Sequence, residues 1–226
     1  MAGKEIALRT VVFLGSARDL APAWSSDKRL CNRVAAWVKK TLTERNATCG
    51  PDKVKHDVTF YDPLEVFGPD GCLHKSGGEL KHPHFFYKGG EAPPAMDAMR
   101  DTIKACDAII VVSPEYNHTV PPALSSLMGH FGGSNYSCKP SGIVTYSVGP
   151  FGGTRAAIAL RPMLSELGCL PVSKLCCLPT ASSVLGEDGT PPDASNRLLN
   201  QLPDMLSQIE WMAIAMKNQR EHAGAF

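Results

Sequence analysis

The chain has 226 residues, of which 43% are apolar and 20% charged, a content that suits one globular α/β domain, residues 1–226, able to bury its own core. Its formal net charge of +1 gives no electrostatic reason to expect nucleic acid or an anionic membrane surface as a partner. No apolar run approaches the roughly 20 residues that span a bilayer, the amino terminus lacks the apolar core of a secretion signal, and the expected location is the cytoplasm.

Along the chain, short apolar runs alternate with longer amphipathic ones, the pattern of strand and helix in a parallel sheet. Residues 10–14 read as the first strand. Residues 28–43 follow as a helix with Leu30, Val34, Trp37, Val38 and Leu42 on one side. Residues 57–61 make the second strand, and residues 63–95, rich in Gly, Pro, His and Lys, read as an inserted loop. Next come a short helix at 96–105, a third strand at 108–112 and a helix at 122–131 with Pro122 in its first turn. A fourth strand at 143–147, a helix at 154–167 stopped by Gly168, and a fifth strand at 172–178 complete the alternation. The last helix spans 195–218, and Pro203 should bend it or mark its true beginning. Five strands with intervening helices and right-handed crossovers predict a doubly wound parallel sheet of the flavodoxin-like order 2-1-3-4-5. Ligands of such sheets bind beyond the carboxyl ends of the strands, where the strand order reverses.

Three segments follow strands at that edge. Gly15-Ser16-Ala17-Arg18 offers amides, a hydroxyl and a guanidinium before a helix start, which describes a phosphate cradle or an ordinary turn with an exposed arginine. Neither a Gly-x-Gly-x-x-Gly fingerprint nor a Walker lysine is present, so a monophosphate fits better than a longer phosphate chain. Pro114-Glu115-Tyr116-Asn117-His118, ahead of Pro121-Pro122, reads as a binding loop rather than a hairpin turn. Ser147-Val148-Gly149-Pro150-Phe151-Gly152-Gly153 allows close backbone approach to a flat ligand, with Tyr116 and Phe151 as aromatic walls; an ordinary strand-to-helix turn is the other reading.

Together these three motifs resemble the NAD(P)H-dependent FMN reductases, a family that includes quinone reductases, azoreductases and chromate reductases. The resemblance runs from about Thr10 to Leu178. It implies a flavodoxin-like fold, tightly bound FMN with NADPH or NADH as electron donor, and a homodimer or homotetramer whose subunits help wall the site. By motif, it implies that Ser16 and Arg18 hold the FMN phosphate, with Ser25 and Arg29 as further contacts near the helix start. Pro114, Glu115, Tyr116 and Asn117 would line the flavin ring, and Ser147, Gly149, Phe151, Gly152 and Gly153 its pyrimidine side. His118 stands at the mouth as a neutral loop residue or as a contact to the acceptor or nicotinamide. In the inserted stretch Asp19 to Trp24 the chain departs from the family, and Ser25, Ser26 or Asp27 could cap the helix.

The chemistry implied is two-electron transfer from NAD(P)H to a quinone, azo compound or similar small acceptor by a ping-pong cycle. Such a reaction needs no side-chain nucleophile or acid/base pair, and no nucleophile elbow or zinc helix is present. An electron carrier or redox-responsive regulator that docks on a protein is the alternative. The eight cysteines are expected as reduced thiols, with Cys176-Cys177 as small buried hydrophobes or a redox pair. Cys72, His74, His82 and His84 offer metal-ligand types at a spacing that matches no structural zinc pattern.

Overall fold

The structure is a computed structural model, and it describes residues 3–18, 29–74 and 82–225. Its sheet runs β2-β3-β1-β4-β5-β6, with β7 also paired to β5. The strands are β1 (Glu5–Leu14), β2 (Ala47–Cys49), β3 (Asp52–Tyr61), β4 (Ala108–Pro114), β5 (Lys139–Tyr146), β6 (Cys169–Pro171) and β7 (Cys176–Leu178). The expected parallel order survives as β3-β1-β4-β5-β6/β7, and the count of five becomes seven for two reasons. A short antiparallel edge strand, β2, folds back on β3. Of the expected fifth strand, 172–178, only Cys176–Leu178 is strand, paired with the end of β5; an unexpected strand, β6, precedes it and pairs with the start of β5, and the four residues between them, 172–175, lie opposite only two of β5.

Among the described residues the α-helices that flank the sheet are α1 (Leu30–Glu44), α2 (Pro63–Val66), α3 (Pro94–Ala105), α4 (Pro122–Gly129), α5 (Thr154–Glu166), α6 (Ala181–Val184) and α7 (Gln201–Ala223). Strand alternation sorts the core into two clusters. Leu8, Val12, Ile110, Val112 and Val144 face α1 and α7, while Val11, Phe13, Ile109, Val111 and Ile143 face α3, α4 and α5. β4 and β5 are buried at every position, as parallel strands covered on both faces must be. Each such Val, Ile or Leu contributes roughly 1.5–3 kcal/mol.

Several boundaries move for local reasons. α1 is preceded by Arg29, which gives no side-chain cap; Ser25, Ser26 and Asp27 lie outside the described residues. Pro203 falls in the first turn of α7, where its missing N–H costs nothing, so it marks a beginning rather than a bend. The segment expected as a loop at 63–95 carries α2, whose first turn is capped by Asp62 through Leu64 N (2.9 Å) with Pro63 at its first position. It also holds a 3₁₀ turn at His84–Phe86.

All eight cysteines are free. Burial pushes the Cys106 thiol up to about 11 and Cys169 to about 12. Cys176 is buried in one core cluster while Cys177 packs against the other, so their side chains leave opposite faces of the strand. Cys72 lies beside Met99, His82 against Tyr87, and His84 bonds Asp97; among the described residues no three such groups gather as a metal site.

α7 is anchored by a charge that runs into the sheet. Glu210 accepts both hydrogen bonds of the Arg45 fork and one from His56 Nε2 (3.1 Å), and His56 Nδ1 meets Thr10 Oγ1 (2.9 Å). Burial raises the Glu210 pKa, yet His56 and Arg45 outweigh it and hold the carboxyl below its ordinary 4.5. A carboxyl depressed on folding stabilises in full above its unfolded pKa, and that contribution is lost as pH falls through the lower folded value. Urea unfolding at pH 7 and pH 3.5 should therefore show a larger drop for wild type than for Glu210→Gln, which lacks this titration; equal drops would refute the assignment.

Candidate functional site

β1, β4 and β5 end at the same edge, and the strand order reverses between β1 and β4. The first loop leaves β1 with Gly15 N bonded to Val112 O (2.8 Å), so it starts clamped to β4. Ser16 is buried and its Oγ meets the Tyr116 hydroxyl (3.1 Å), while the exposed Arg18 lays its guanidinium over the Tyr116 ring, 4.2 Å from the centroid. First and second loops thus meet as expected, joined through Tyr116.

Arg29 is placed differently from the simple phosphate contact that the resemblance implies. Its guanidinium forks onto Asp62, with Nη1 to Oδ2 at 2.5 Å and Nη2 to Oδ1 at 2.9 Å, and Nη2 also donates to the Ser16 carbonyl. Burial opposes the charge, but Asp62 outweighs it and keeps the Arg29 pKa above its ordinary value. Nε is the atom left over: buried, with no partner among the described residues. Beneath this loop burial also pushes up the Cys31 thiol and the Tyr146 hydroxyl. Ser25 lies outside the described residues.

The second loop corrects one expectation. Tyr116 and Thr119 exchange both backbone hydrogen bonds (3.1 and 3.0 Å), and Asn117 and His118 between them have φ of 49° and 63°. Two left-handed central residues make a tight hairpin of the type I′ kind at the tip of the binding loop. Its cause is Asn117, which tolerates this conformation; His118 in the second position hides the signal, since glycine is the usual occupant. Both tip residues are exposed. Pro114 ends β4 and is buried, and Glu115 turns its carboxylate toward α5.

In the third loop Ser147 Oγ donates to Gly149 O (2.7 Å) and accepts from Gly152 N (2.8 Å), closing its own turn. Gly152 and Gly153 have φ of 61° and 72°. A Cβ on Gly153 would lie 2.9 Å from Thr145 Cβ, so these glycines let the turn close on its own sheet rather than on a ligand. Gly149, by contrast, faces open space, and Val148 and Phe151 are exposed. A buttress the sequence concealed stands behind: Thr180, left-handed at φ 44°, donates its N–H to Gly149 O (3.0 Å). A β-branched residue is the last to be expected there.

Between the first two loops and the inserted segment lies an open groove of about 670 Å³, lined by Arg18, Tyr116, Leu64, Phe67, His74 and Pro122 among others. Its α2 wall was missed in a stretch that reads as loop, although Asp62-Pro63 is a helix-start signal. His118 is not part of this lining.

Such a sheet, with an arginine-bearing loop, an aromatic-tipped loop and a glycine turn on one edge, defines a class of doubly wound proteins built around a planar, phosphate-bearing ligand. The model of the NADPH-dependent FMN reductases matches residues 8–181, and the chain belongs to that family. It is 32% identical over 121 residues to a quinone reductase of Pseudomonas putida, covering 50% of this chain and 64% of that one. An NAD(P)H-dependent FMN reductase of Pseudomonas aeruginosa is 29% identical over 127 residues, covering 55% and 65%. The matched stretch therefore spans a little under two thirds of these relatives. In fold, the chain is similar to a flavoenzyme NAD(P)H:(acceptor) oxidoreductase of Paracoccus denitrificans (TM-score 0.58, 20% identity, 90% of this chain and 97% of that one). An oxidoreductase of Corynebacterium diphtheriae gives a TM-score of 0.61 at 12% identity, covering 92% and 98%.

The residues fit FMN. Arg18 and the unpartnered Arg29 Nε beside Ser16 offer donors for a phosphate, and Tyr116, Phe151 and the open side of Gly149 offer surfaces for a ring. The strained tip is directly testable: His118→Gly removes a side chain from a left-handed position and should stabilise the protein by about 1 kcal/mol. A urea midpoint unchanged or lowered would contradict the turn.

Proposed function

We propose that this chain, as one flavin-binding domain, is an oxidoreductase that holds FMN across its three loops and passes electrons from NADH or NADPH to a small acceptor such as a quinone or an azo compound. The observation that carries this reading is the joining of the loops at the strand-order reversal: Ser16 to Tyr116 on one side, Glu115 to the start of α5 on the other. FMN when bound supplies reversible two-electron chemistry, with donor and acceptor using one site in turn, a ping-pong cycle. The protein's part is to bind and orient.

Within that reading, Arg18 and Ser16 hold the phosphate, and Arg29 supports them through its remaining Nε while Asp62 balances its charge. Asn117 and the backbone of the second loop line the ring, and Gly149 takes its pyrimidine side. Val148 and Phe151 exclude water from the edge they cover. The groove walled by Leu64 and Phe67 admits a flat apolar acceptor, and His118, outside that lining at the exposed tip of the second loop, touches donor or acceptor. Assembly as a homodimer or homotetramer belongs to the same reading. It is supported by the exposed Phe85 and Phe86, stacked edge to face at 5.2 Å on the inserted segment. Eight free thiols support a reducing, cytoplasmic location.

The test is to titrate purified protein with FMN and then mix the complex anaerobically with NADPH or NADH. Stoichiometric binding, bleaching of the flavin band by one of the nicotinamides and reoxidation by a quinone are expected, with parallel double-reciprocal plots at steady state. Arg18→Met should raise the FMN Kd by about 10- to 100-fold, the worth of a charge-assisted hydrogen bond. Bound flavin that neither nicotinamide reduces would sink the enzyme reading.

A further inference from the structure

We propose that Glu115 is a positioning residue: its carboxylate is a latch that locks the second loop to the third, rather than a direct contact of the bound ring. Oε2 accepts hydrogen bonds from the backbone N–H of Arg155 (2.9 Å) and of Ala156 (3.3 Å), and Oε1 accepts from Arg155 Nη1 (3.2 Å). The Glu115 side chain is only 10% exposed.

The need for this latch follows from the glycine turn. α5 begins after Gly153, which has no side chain to satisfy the first-turn amides, and the Thr154 hydroxyl is spent on Phe151 O (2.7 Å). A cap therefore has to come from outside the helix, and it comes from a residue 40 positions earlier in the chain. An ionised carboxylate suits the positive end of the helix dipole as well as the two amides. The same contact governs an exposed ring: Arg155, held by Glu115, stacks its guanidinium 4.6 Å from the centroid of Phe151, which is 62% exposed. A chain of contacts thus runs from the end of β4 through Glu115 and Arg155 to the tip of the third loop. Met in its place, of similar length and with no oxygen, offers no acceptor to either amide or to Arg155, so it cannot close the latch.

The latch itself needs no ligand; its consequence for flavin rests on the function proposed above. Hydrogen exchange on the flavin-free protein reads the first, and FMN affinity with the visible circular dichroism of bound flavin reads the second. Glu115→Met should speed exchange in residues 150–157 and 114–119 by about 10-fold or more while leaving α1 and α7 unchanged. It should also raise the FMN Kd about 10- to 100-fold and alter the dichroism. Arg155→Met keeps both amide bonds and should change exchange far less. Glu115→Asp keeps the charge and should recover part of both effects; it also serves if the methionine variant does not fold. Unchanged exchange in Glu115→Met, an aspartate variant no better than methionine, or loosened loops with wild-type FMN affinity and dichroism would each overturn the proposal. If wild type takes up no FMN, the function fails while the exchange data still decide the latch.

Discussion

Everything at the site depends on β4 being buried on both faces beside β1. A strand with no exposed side can carry a polar side chain only where it is hydrogen-bonded, as Ser113 is to the Pro114 carbonyl, so most polarity is deferred to its end, where Glu115, Tyr116, Asn117 and His118 emerge together. Because β1 and β5 run parallel to it, their connections emerge at the same edge. The loops are neighbours because the ladders leave them nowhere else to go.

Charge at that edge is largely settled by contacts between loops. Arg29 is balanced by Asp62, and Glu115 by Arg155 and the α5 terminus. Arg29 and Asp62 are both largely buried, so removing one leaves the other desolvated, a loss of roughly 3–5 kcal/mol for a buried pair, whereas Arg155 is exposed enough to be resolvated by water. The effect of both pairs is geometric: each joins segments far apart in sequence and leaves few ways for the loops to shift. Arg18 differs, being exposed and held to Tyr116 by a ring contact that an anion could outcompete.

Backbone conformation tells a similar story. His118 and Thr180 hold left-handed conformations that their side chains disfavour, one at the tip of the second loop and one behind the third. Both are sustained by hydrogen bonds to the loops they serve, His118 through the Tyr116 to Thr119 pair and Thr180 through Gly149. A further left-handed residue, Cys138 at φ 60°, stands at the opposite end of the sheet, just before β5.

The alternation of apolar runs and amphipathic helices was enough to determine the parallel core order and the segments that end at its active edge, because burial on two faces and on one writes different periods into a chain. Motif spacing likewise singled out Ser16, Arg18, the Pro114 to His118 stretch and the Gly149 to Gly153 turn as candidates for one site, on loops that the sheet brings to the same edge. What only the tertiary structure decided is where each side chain's charge goes: Arg29 to Asp62, Glu115 to the start of α5, Ser147 to its own turn. It also decided the extra strand β6, the edge strand β2 and the α2 wall of the groove. Arg29 and Glu115 meet partners 33 and 40 residues away, and a local pattern records that a residue is polar without recording which distant group will meet it.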